Sequence, residues 1–253
     1  MLFNSYSFIF IFLPVTLFGL FLIEKLGKNK IVIFWLLGAS LFFYGWWNPY
    51  YLTLLVLSII FNFVISHLIR SQKNRLFSKI ILISGIFVNL STIAYYKYSN
   101  FFIDNLNVLV DSNIIFYEVI LPLGISFFTF QQITFLVDSF HNKIKHNSFL
   151  QYSLFVVFFP QLIAGPIVHH KEIFPQFSSN IFGKITSNNL AIGITIFSLG
   201  LFKKVIIADN LALYSSPVFA AADVGILLTF FEAWGGSLAY TFQLYFDFSG
   251  YSD

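Results

Sequence analysis

Long apolar stretches separated by short polar connections make up most of this chain of 253 residues. Each stretch has about 17 to 25 residues, enough for a helix to cross a hydrocarbon core about 30 Å thick. The pattern predicts an all-α, polytopic transmembrane protein with about eight spans. The predicted spans are residues 5–23, 31–47, 51–69, 79–96, 118–138, 149–165, 190–204 and 224–248.

Three other segments do not have the pattern of a span. Residues 101–110 and 211–222 are too short to cross, so we expect them at the membrane interface. Residues 166–189 fit a loop, a re-entrant stretch or a surface helix. No internal repeat or low-complexity linker divides the sequence, which predicts a single domain, residues 1–253.

Basic residues are concentrated in alternate connections between the predicted spans. The first, third and fifth connections carry Lys25, Lys28, Lys30, Arg70, Lys73, Arg75, Lys79, Lys143 and Lys145. The second and fourth connections carry one basic residue, Lys97, and also the acids Asp104 and Asp111. Because Lys and Arg are retained on the cytoplasmic side, this asymmetry predicts an outside N-terminus. The first span lacks a basic leader and a small-residue cleavage site, so we expect it to be retained rather than removed as a signal peptide.

Composition excludes several classes of protein. With 58% hydrophobic residues, 36 Phe and 10% charged residues, the chain cannot form the surface of a water-soluble domain. A net charge of +3 is too small to indicate nucleic-acid binding. The chain contains no cysteine, which excludes disulfides, thiol catalysis and thiolate metal sites.

Polar side chains recur within the apolar residues 121–138. Ser126, Thr129 and Gln132 follow one another at intervals of three, which places them on one face of a helix, and Asp138 ends the segment. Such a face either forms a hydrogen-bonded seam between helices or lines a substrate cavity. The spacing is compatible with both.

Two prolines interrupt the segment of residues 159–172, which carries several polar side chains. Pro160 and Pro166 each lack a backbone N–H, and Gly165 adds conformational freedom. A helix broken at membrane depth leaves polar groups that protein or water must meet, and such helices often line sites. The alternatives are a site-lining segment and a kinked span with a solvated exit. The polar residues concerned are Gln161, His169, His170 and Lys171.

The histidines do not form a metal site by their spacing. His141 and His146 are five residues apart, which matches neither helical spacing of a metal pair. We expect both in a solvated loop and His67 at the interface. Adjacent histidines such as 169 and 170 point in different directions on a helix. We therefore expect no metal site and no bound cofactor.

Charged residues return near the end of the chain. Lys203 and Lys204 close a predicted span, where they either anchor it at the cytoplasmic edge or meet an anionic donor. Residues 245–253 carry two acids in an apolar context, which by default indicates a functional site. Their polar groups fall on both sides of a helix, so we expect protein or a water-filled cavity to surround that helix. The residues then form either a structural polar cluster or a part of the surroundings of an active centre. These polar residues are Asp247, Ser249, Tyr251 and Asp253.

Taken together, these blocks resemble the membrane-bound O-acyltransferase (MBOAT) family, in its branch of alginate and other exopolysaccharide O-acetyltransferases. The resemblance covers the whole chain in the family's order. The matching stretches are residues 2–5, 43–49, 96–98, 121–138, 159–176, 203–210 and 239–253.

The resemblance implies a ring or funnel of helices around a tunnel in a bacterial inner membrane. Such enzymes move an acyl group from a cytoplasmic thioester, acetyl-CoA or another, to hydroxyls of an exported polysaccharide such as alginate. Periplasmic acetyltransferase partners are implied for that step. A sister branch passes D-alanine toward teichoic acid.

One departure from the family limits what can be transferred. The family's two histidine motifs follow the terminal block, and this sequence ends at Asp253 before either. No catalytic residue is therefore assigned, and we expect the chain to be an N-terminal fragment, inactive by itself. A transporter or channel, and a non-catalytic membrane partner of a transferase, are the competing hypotheses.

Overall fold

A computed structural model describes residues 1–25, 29–110, 119–144, 148–162, 165, 170–178 and 185–253. All regular secondary structure in these ranges is helical, which confirms the predicted fold class. The chain forms two compact units, each described by itself. The terminal unit comprises Met1–Leu22 and Lys184–Asp253, and the central unit comprises Ile23–Gly183. That residues 1–253 form one domain stays a prediction.

The central unit is built from helices α2 to α9. They are α2 (Asn29–Gly45), α3 (Pro49–Ser71), α4 (Arg75–Ile93), α5 (Ser99–Val110), α6 (Ile125–Phe140), α7 (Phe149–Val157), α8 (Phe159–Leu162) and α9 (His170–Ser178). Polar side chains start several of them: Asn48, Asn74 and Ser148 each accept a backbone N–H of the first turn.

The core of the central unit lies where α6 packs on α3 and α4 and where α7 packs on α2. Large aromatic side chains fill it, and Phe135 lies 4.4 Å from Tyr152 between ring centroids. The buried aromatic residues include Phe43, Tyr44, Phe128, Phe135, Tyr152 and Phe155. Two hydroxyls fix the segment before α6, since Tyr44 donates to the carbonyl of Leu123 and Tyr51 to that of Ile120.

In the terminal unit, π-helical segments continue directly into α-helices. Phe8–Phe12 leads into α1 (Leu13–Glu24), and Phe202–Ala208 joins α10 (Ser187–Leu201) to α11 (Asp209–Asp223). The last helix is α12 (Phe230–Ser252). It starts with a capping box, in which the Thr229 side chain accepts the N–H of Glu232 and the Glu232 carboxylate accepts the N–H of Thr229.

Within the described ranges, three helices are long and apolar enough to cross a membrane by length and composition: Pro49–Ser71, Arg75–Val110 and Ser187–Asp223. Shorter apolar helices cover Phe8–Glu24 and Lys30–Gly45. Most side chains on their outer faces are large, apolar and exposed, as expected for helices that meet lipid.

Two of the predicted short segments are parts of longer helices. Residues 101–110 and 211–222 are not separate segments, because each continues a long helix, and their position at the interface stays a prediction. The π-helical segments Ala94–Tyr98 and Phe202–Ala208 join them to the preceding helices. The lysines in these segments suggested span ends, but a charged side chain does not terminate a helix when the backbone ladder continues.

Glycine and proline shift the boundaries of other predicted spans. Gly124 has φ 68°, so α6 begins at Ile125 rather than near residue 118. The predicted span 149–165 is interrupted, because α7 ends at Val157, shortly before Pro160. The predicted span 224–248 is displaced, since α12 starts only after the Thr229 cap and reaches Ser252.

Candidate functional site

The face of α6 that the spacing singled out forms a hydrogen-bonded seam in the central unit. Gln132 is fully buried, and its Nε2 donates to Ser58 Oγ on α3 at 3.0 Å. Its Oε1 accepts from the Tyr152 hydroxyl on α7 at 3.1 Å. Thr129 is buried on the same face, and Ser126 is half-buried. The amide of Gln132 thus joins three helices.

The interruption after α7 is the second polar feature of the central unit. Phe158 has ψ 110°, outside the helical region, and the chain resumes as the short helix α8. The carbonyl oxygen of Phe155 accepts from Nε2 of Gln131 at 3.1 Å and from Nε2 of Gln161 at 2.8 Å. Two protein side chains therefore donate hydrogen bonds to a carbonyl at the end of the broken helix. In a membrane such a carbonyl requires a donor from the protein, because lipid provides none.

Two further contacts hold this interruption. The N–H of Phe159 donates to Ser40 Oγ on α2 at 3.2 Å. The N–H of Gly165 donates to the carbonyl of Gln161 at 3.2 Å. A Cβ added to Gly165 would lie 2.6 Å from the Cα of Gln161, so this close approach requires glycine.

Asp138 ends the polar face of α6 in an ion pair. Its side chain is almost completely buried, and its Oδ1 lies 3.3 Å from Lys143 Nζ. The neighbouring Ser139 Oγ lies 2.8 Å from Ser66 Oγ on α3. These contacts fix the end of α6 against α3.

In the terminal unit, the two lysines and the terminal acids form one ionic cluster. Lys203 Nζ donates to Asp253 Oδ2 at 2.6 Å and to Ser249 Oγ at 3.0 Å. Lys204 Nζ lies 2.8 Å from Asp247 Oδ1 and 2.9 Å from Asp209 Oδ1. We call these five charged residues, Lys203, Lys204, Asp209, Asp247 and Asp253, the charged junction.

The charged junction is compact and remains accessible. The side chains of its pairs are between 31% and 46% exposed. Two lysines and three aspartates give a formal charge of −1 (+2 − 3). Both lysines already contact carboxylates, so each lysine charge is balanced within the protein. Opposite charges held together in this way are the arrangement expected of ionisable groups in an apolar helix pair.

Glycines allow the two helices of the charged junction to touch. A Cβ on Gly200 would lie 2.6 Å from the carbonyl oxygen of Gly250, and one on Gly250 would lie 2.7 Å from that of Gly200. Small residues of this kind let helix backbones approach closely in membranes. The π-helical turn at Phe202–Ala208 directs Lys203 and Lys204 to partners on α12. Tyr251, nearby on α12, packs its ring 5.4 Å from that of Phe3.

The remaining predicted site residues are only partly described. Pro166, His169 and His146 lie outside the described residues. His170 begins α9, of which only the backbone is described at that position. Lys171 is exposed on α9, and His67 and His141 are exposed. Among the described residues, no group of three or more His, Cys, Asp or Glu has the arrangement of a metal site.

Sequence reasoning missed Ser40, Ser58 and Tyr152, which lie on other helices, and Gln131, which precedes Gln132 on α6. It also treated the two lysines and the terminal acids as separate features. A signal for their pairing was present: three acids and two lysines fall close to apolar stretches, where ionisable side chains need partners.

Comparisons with known proteins converge on one family. The family model described as MBOAT, membrane-bound O-acyltransferase family, matches residues 63–253. A peptidoglycan O-acetyltransferase of Helicobacter pylori is 43% identical over 279 residues, which cover 100% of this chain and 52% of that protein. A probable alginate O-acetylase of Pseudomonas aeruginosa is 38% identical, with 100% and 48% covered. Another from Azotobacter vinelandii is 37% identical, with 100% and 50% covered. The chain thus spans about half the length of these relatives.

Proposed function

Since this chain belongs to the membrane-bound O-acyltransferase family, we propose that it works as part of an enzyme that acetylates sugar hydroxyls of a bacterial polysaccharide. The names of the relatives support the reaction class, because the three proteins are called O-acetyltransferase or O-acetylase. In this reaction the acyl C–S bond of a thioester breaks and a C–O ester bond forms. The hydroxyl proton is passed on, and the released thiol ends protonated.

The charged junction is the observation that carries this proposal beyond the family name. Five ionisable groups at the contact of two apolar helices cost desolvation free energy, and they stay one-third to one-half exposed. A π-helical segment carries both lysines, and such segments are frequent at functional sites. We assign the junction a positioning role, in which it holds α12 against α10 and α11 beside the reacting groups.

No described residue is assigned the role of catalytic base. Acyl transfer to a hydroxyl is accelerated by a general base, usually histidine, within hydrogen-bond reach of the proton. The family resemblance attributes that role to histidines that follow a block such as residues 239–253. We therefore describe Asp247, Ser249, Tyr251 and Asp253 as residues that frame the site.

We further propose the direction of transfer. The donor is an acyl thioester of the cytoplasm, acetyl-CoA or another, and the acceptor lies on the opposite face of the inner membrane. Nine basic residues in alternate connections support an outside N-terminus. Delivery to the polymer through a periplasmic acetyltransferase partner belongs to the same proposal.

The names of the relatives indicate two possible acceptors, and both are glycans that carry free hydroxyls. We place cell-wall peptidoglycan first, because the relative named for it is 43% identical, against 38% for the alginate relative. A secreted alginate-like polymer comes second. Transfer of D-alanine to teichoic acid is the alternative that the following experiment separates.

The test is deletion of the gene that encodes this chain in its own bacterium, followed by complementation. Ester-linked acetate released by mild alkali is measured on purified peptidoglycan and, separately, on secreted polysaccharide. Loss from one polymer and its return on complementation supports the proposal and identifies the acceptor. Unchanged acetate on both polymers, or loss of ester-linked D-alanine alone, contradicts it.

A further inference from the structure

A polar pocket of about 320 Å³ lies at the ends of three helices of the central unit. None of its described lining residues belongs to the charged junction or to the interruption after α7. Residues of α3, α4, their connection and the end of α6 line it. They are Ile69, Arg70, Gln72, Lys73, Arg75, Ser78, Phe140, His141 and Asn142.

The lining of this pocket carries a positive charge. Arg70, Lys73 and Arg75 contribute three basic side chains, and none of the lining residues that the structure describes is acidic. The Arg75 guanidinium lies 5.7 Å from the centre of the Phe140 ring, and Arg70 Nε donates to the Ser66 carbonyl at 3.4 Å. These contacts hold two arginines at the pocket with further N–H donors available, because a guanidinium carries five.

The frame around the pocket is fixed by hydrogen bonds. Ser78 Oγ on α4 donates to the carbonyl of Ile69 on α3 at 3.1 Å. Asn74 Oδ1 accepts the N–H of Leu76 at 2.9 Å and starts α4. Asn142 closes the turn after α6 with φ 53°, a conformation that asparagine tolerates. Two of the basic residues, Arg70 and Arg75, therefore come from helices, and Lys73 comes from the short connection between them.

We propose that this pocket binds the phosphate of an anionic membrane phospholipid headgroup. Arginine forks match phosphate oxygens in geometry as well as charge. Basic pockets between transmembrane helices on the cytoplasmic side are suited to such headgroups. The apolar surface of α4 favours a lipid as the ligand, since Leu76, Phe77 and Ile80 in the same helix as Arg75 are 71%, 60% and 61% exposed. The helix that carries Arg75 and Ser78 therefore also presents large apolar side chains of the kind that meet acyl chains.

A simpler explanation is that these bases only orient the helices by the positive-inside rule. That explanation needs basic residues on the correct side but not their convergence in one cavity. Lys30 and Lys79 supply the contrast, because both are exposed, both belong to the same predicted side, and neither lines the pocket.

The test uses the protein at its native length in nanodiscs of phosphatidylcholine with or without phosphatidylglycerol. Native mass spectrometry counts the phosphatidylglycerol molecules that stay bound. We expect Arg70→Gln/Arg75→Gln to weaken retention about a hundredfold, since each charge-assisted hydrogen bond to the phosphate that is lost lowers affinity about tenfold. Lys73→Gln, in the connection between α3 and α4, tests the same pocket without altering a helix and should cost about tenfold.

The matched control is Lys30→Gln/Lys79→Gln, which removes the same charge from the same side and should leave retention within twofold. Equal losses in both double variants would overturn the proposal in favour of a general charge effect. Equal retention of phosphatidylglycerol and phosphatidylcholine by the unaltered protein would also overturn it. Complete displacement of the lipid by millimolar inorganic phosphate would reassign the pocket to a soluble phosphate.

Discussion

Asn62 on α3 and Asn89 on α4 exchange two side-chain hydrogen bonds in the middle of two apolar helices. Nδ2 of Asn62 donates to Oδ1 of Asn89 at 3.1 Å, and Nδ2 of Asn89 donates back at 2.7 Å. Both residues are almost fully buried. The pair gives each amide oxygen a donor on the neighbouring helix, so it fixes which faces of α3 and α4 meet.

We predict that Asn89→Leu destabilises the protein by about 1–2 kcal/mol, because it leaves the buried Oδ1 of Asn62 without its donor on α4. The double variant Asn62→Leu/Asn89→Leu should recover part of that loss, since both amides are then removed. Urea unfolding in detergent micelles measures the difference. Thr92→Val is the control, because Thr92 is half-buried on α4 and its hydroxyl donates to the carbonyl of Val88 in its own helix. Additive single effects would contradict the pairing.

The two glutamines that donate to the Phe155 carbonyl should behave in the opposite way to the asparagine pair, because the double substitution should cost more than the sum of the two single substitutions. Gln131 and Gln161 donate to the same oxygen, so each can partly replace the other. We predict that Gln131→Leu or Gln161→Leu alone costs less than about 1 kcal/mol and that the double variant costs about 2–3 kcal/mol. Thermal unfolding in micelles is the readout.

Asn105→Leu serves as the control for the glutamine pair, because Asn105 is exposed and bonds only to the carbonyl of Phe101 in its own helix. A double-variant loss equal to the sum of the single losses would mean that the carbonyl does not depend on either side chain.

Hydrophobic pattern and local chemistry predicted the helical class and the break at Pro160. These features depend on residues close together in sequence, such as a proline without an N–H or a run of apolar side chains. The partners that meet the break could not be predicted, because Ser40 lies 119 residues from Phe159. Such contacts depend on how helices pack, which periodicity does not encode.

The charged junction shows the same limit. Sequence reasoning recognised that Asp247 and Asp253 need partners and that Lys203 and Lys204 are unusual, but it kept them apart. The π-helical turn that aims both lysines at α12 has no sequence signal that we recognise. For Pro166 and His169, which lie outside the described residues, the proposed site role stays a prediction.

Gly200 should be far less tolerant of a side chain than Gly193 in the same helix. A Cβ at Gly200 would meet the Gly250 carbonyl oxygen at 2.6 Å, whereas a Cβ at Gly193 meets nothing within 4 Å. We predict that Gly200→Ala destabilises the protein by about 1–3 kcal/mol through overpacking. Gly193→Ala should be neutral or stabilising by up to about 1 kcal/mol, since alanine favours the helix. Equal unfolding midpoints for the two variants would show that α10 and α12 do not approach closely.

The ion pair between Lys204 and Asp247 should matter for transfer as well as for packing. Lys204→Gln leaves Asp247 and Asp209 without their shared cation, so α12 loses a contact that orients its terminal polar residues. We predict a fall of about tenfold to a hundredfold in polymer-bound ester acetate, the range expected when a positioning contact is lost. The assay is alkali-released acetate from cells that carry the variant at its native length and at equal protein level. The reversed pair Lys204→Asp/Asp247→Lys should regain more acetate than either of its single substitutions, because opposite charges again face each other. Lys30→Gln is the control for simple charge loss, and a reversed pair no better than Lys204→Asp alone would show that the junction contributes only packing.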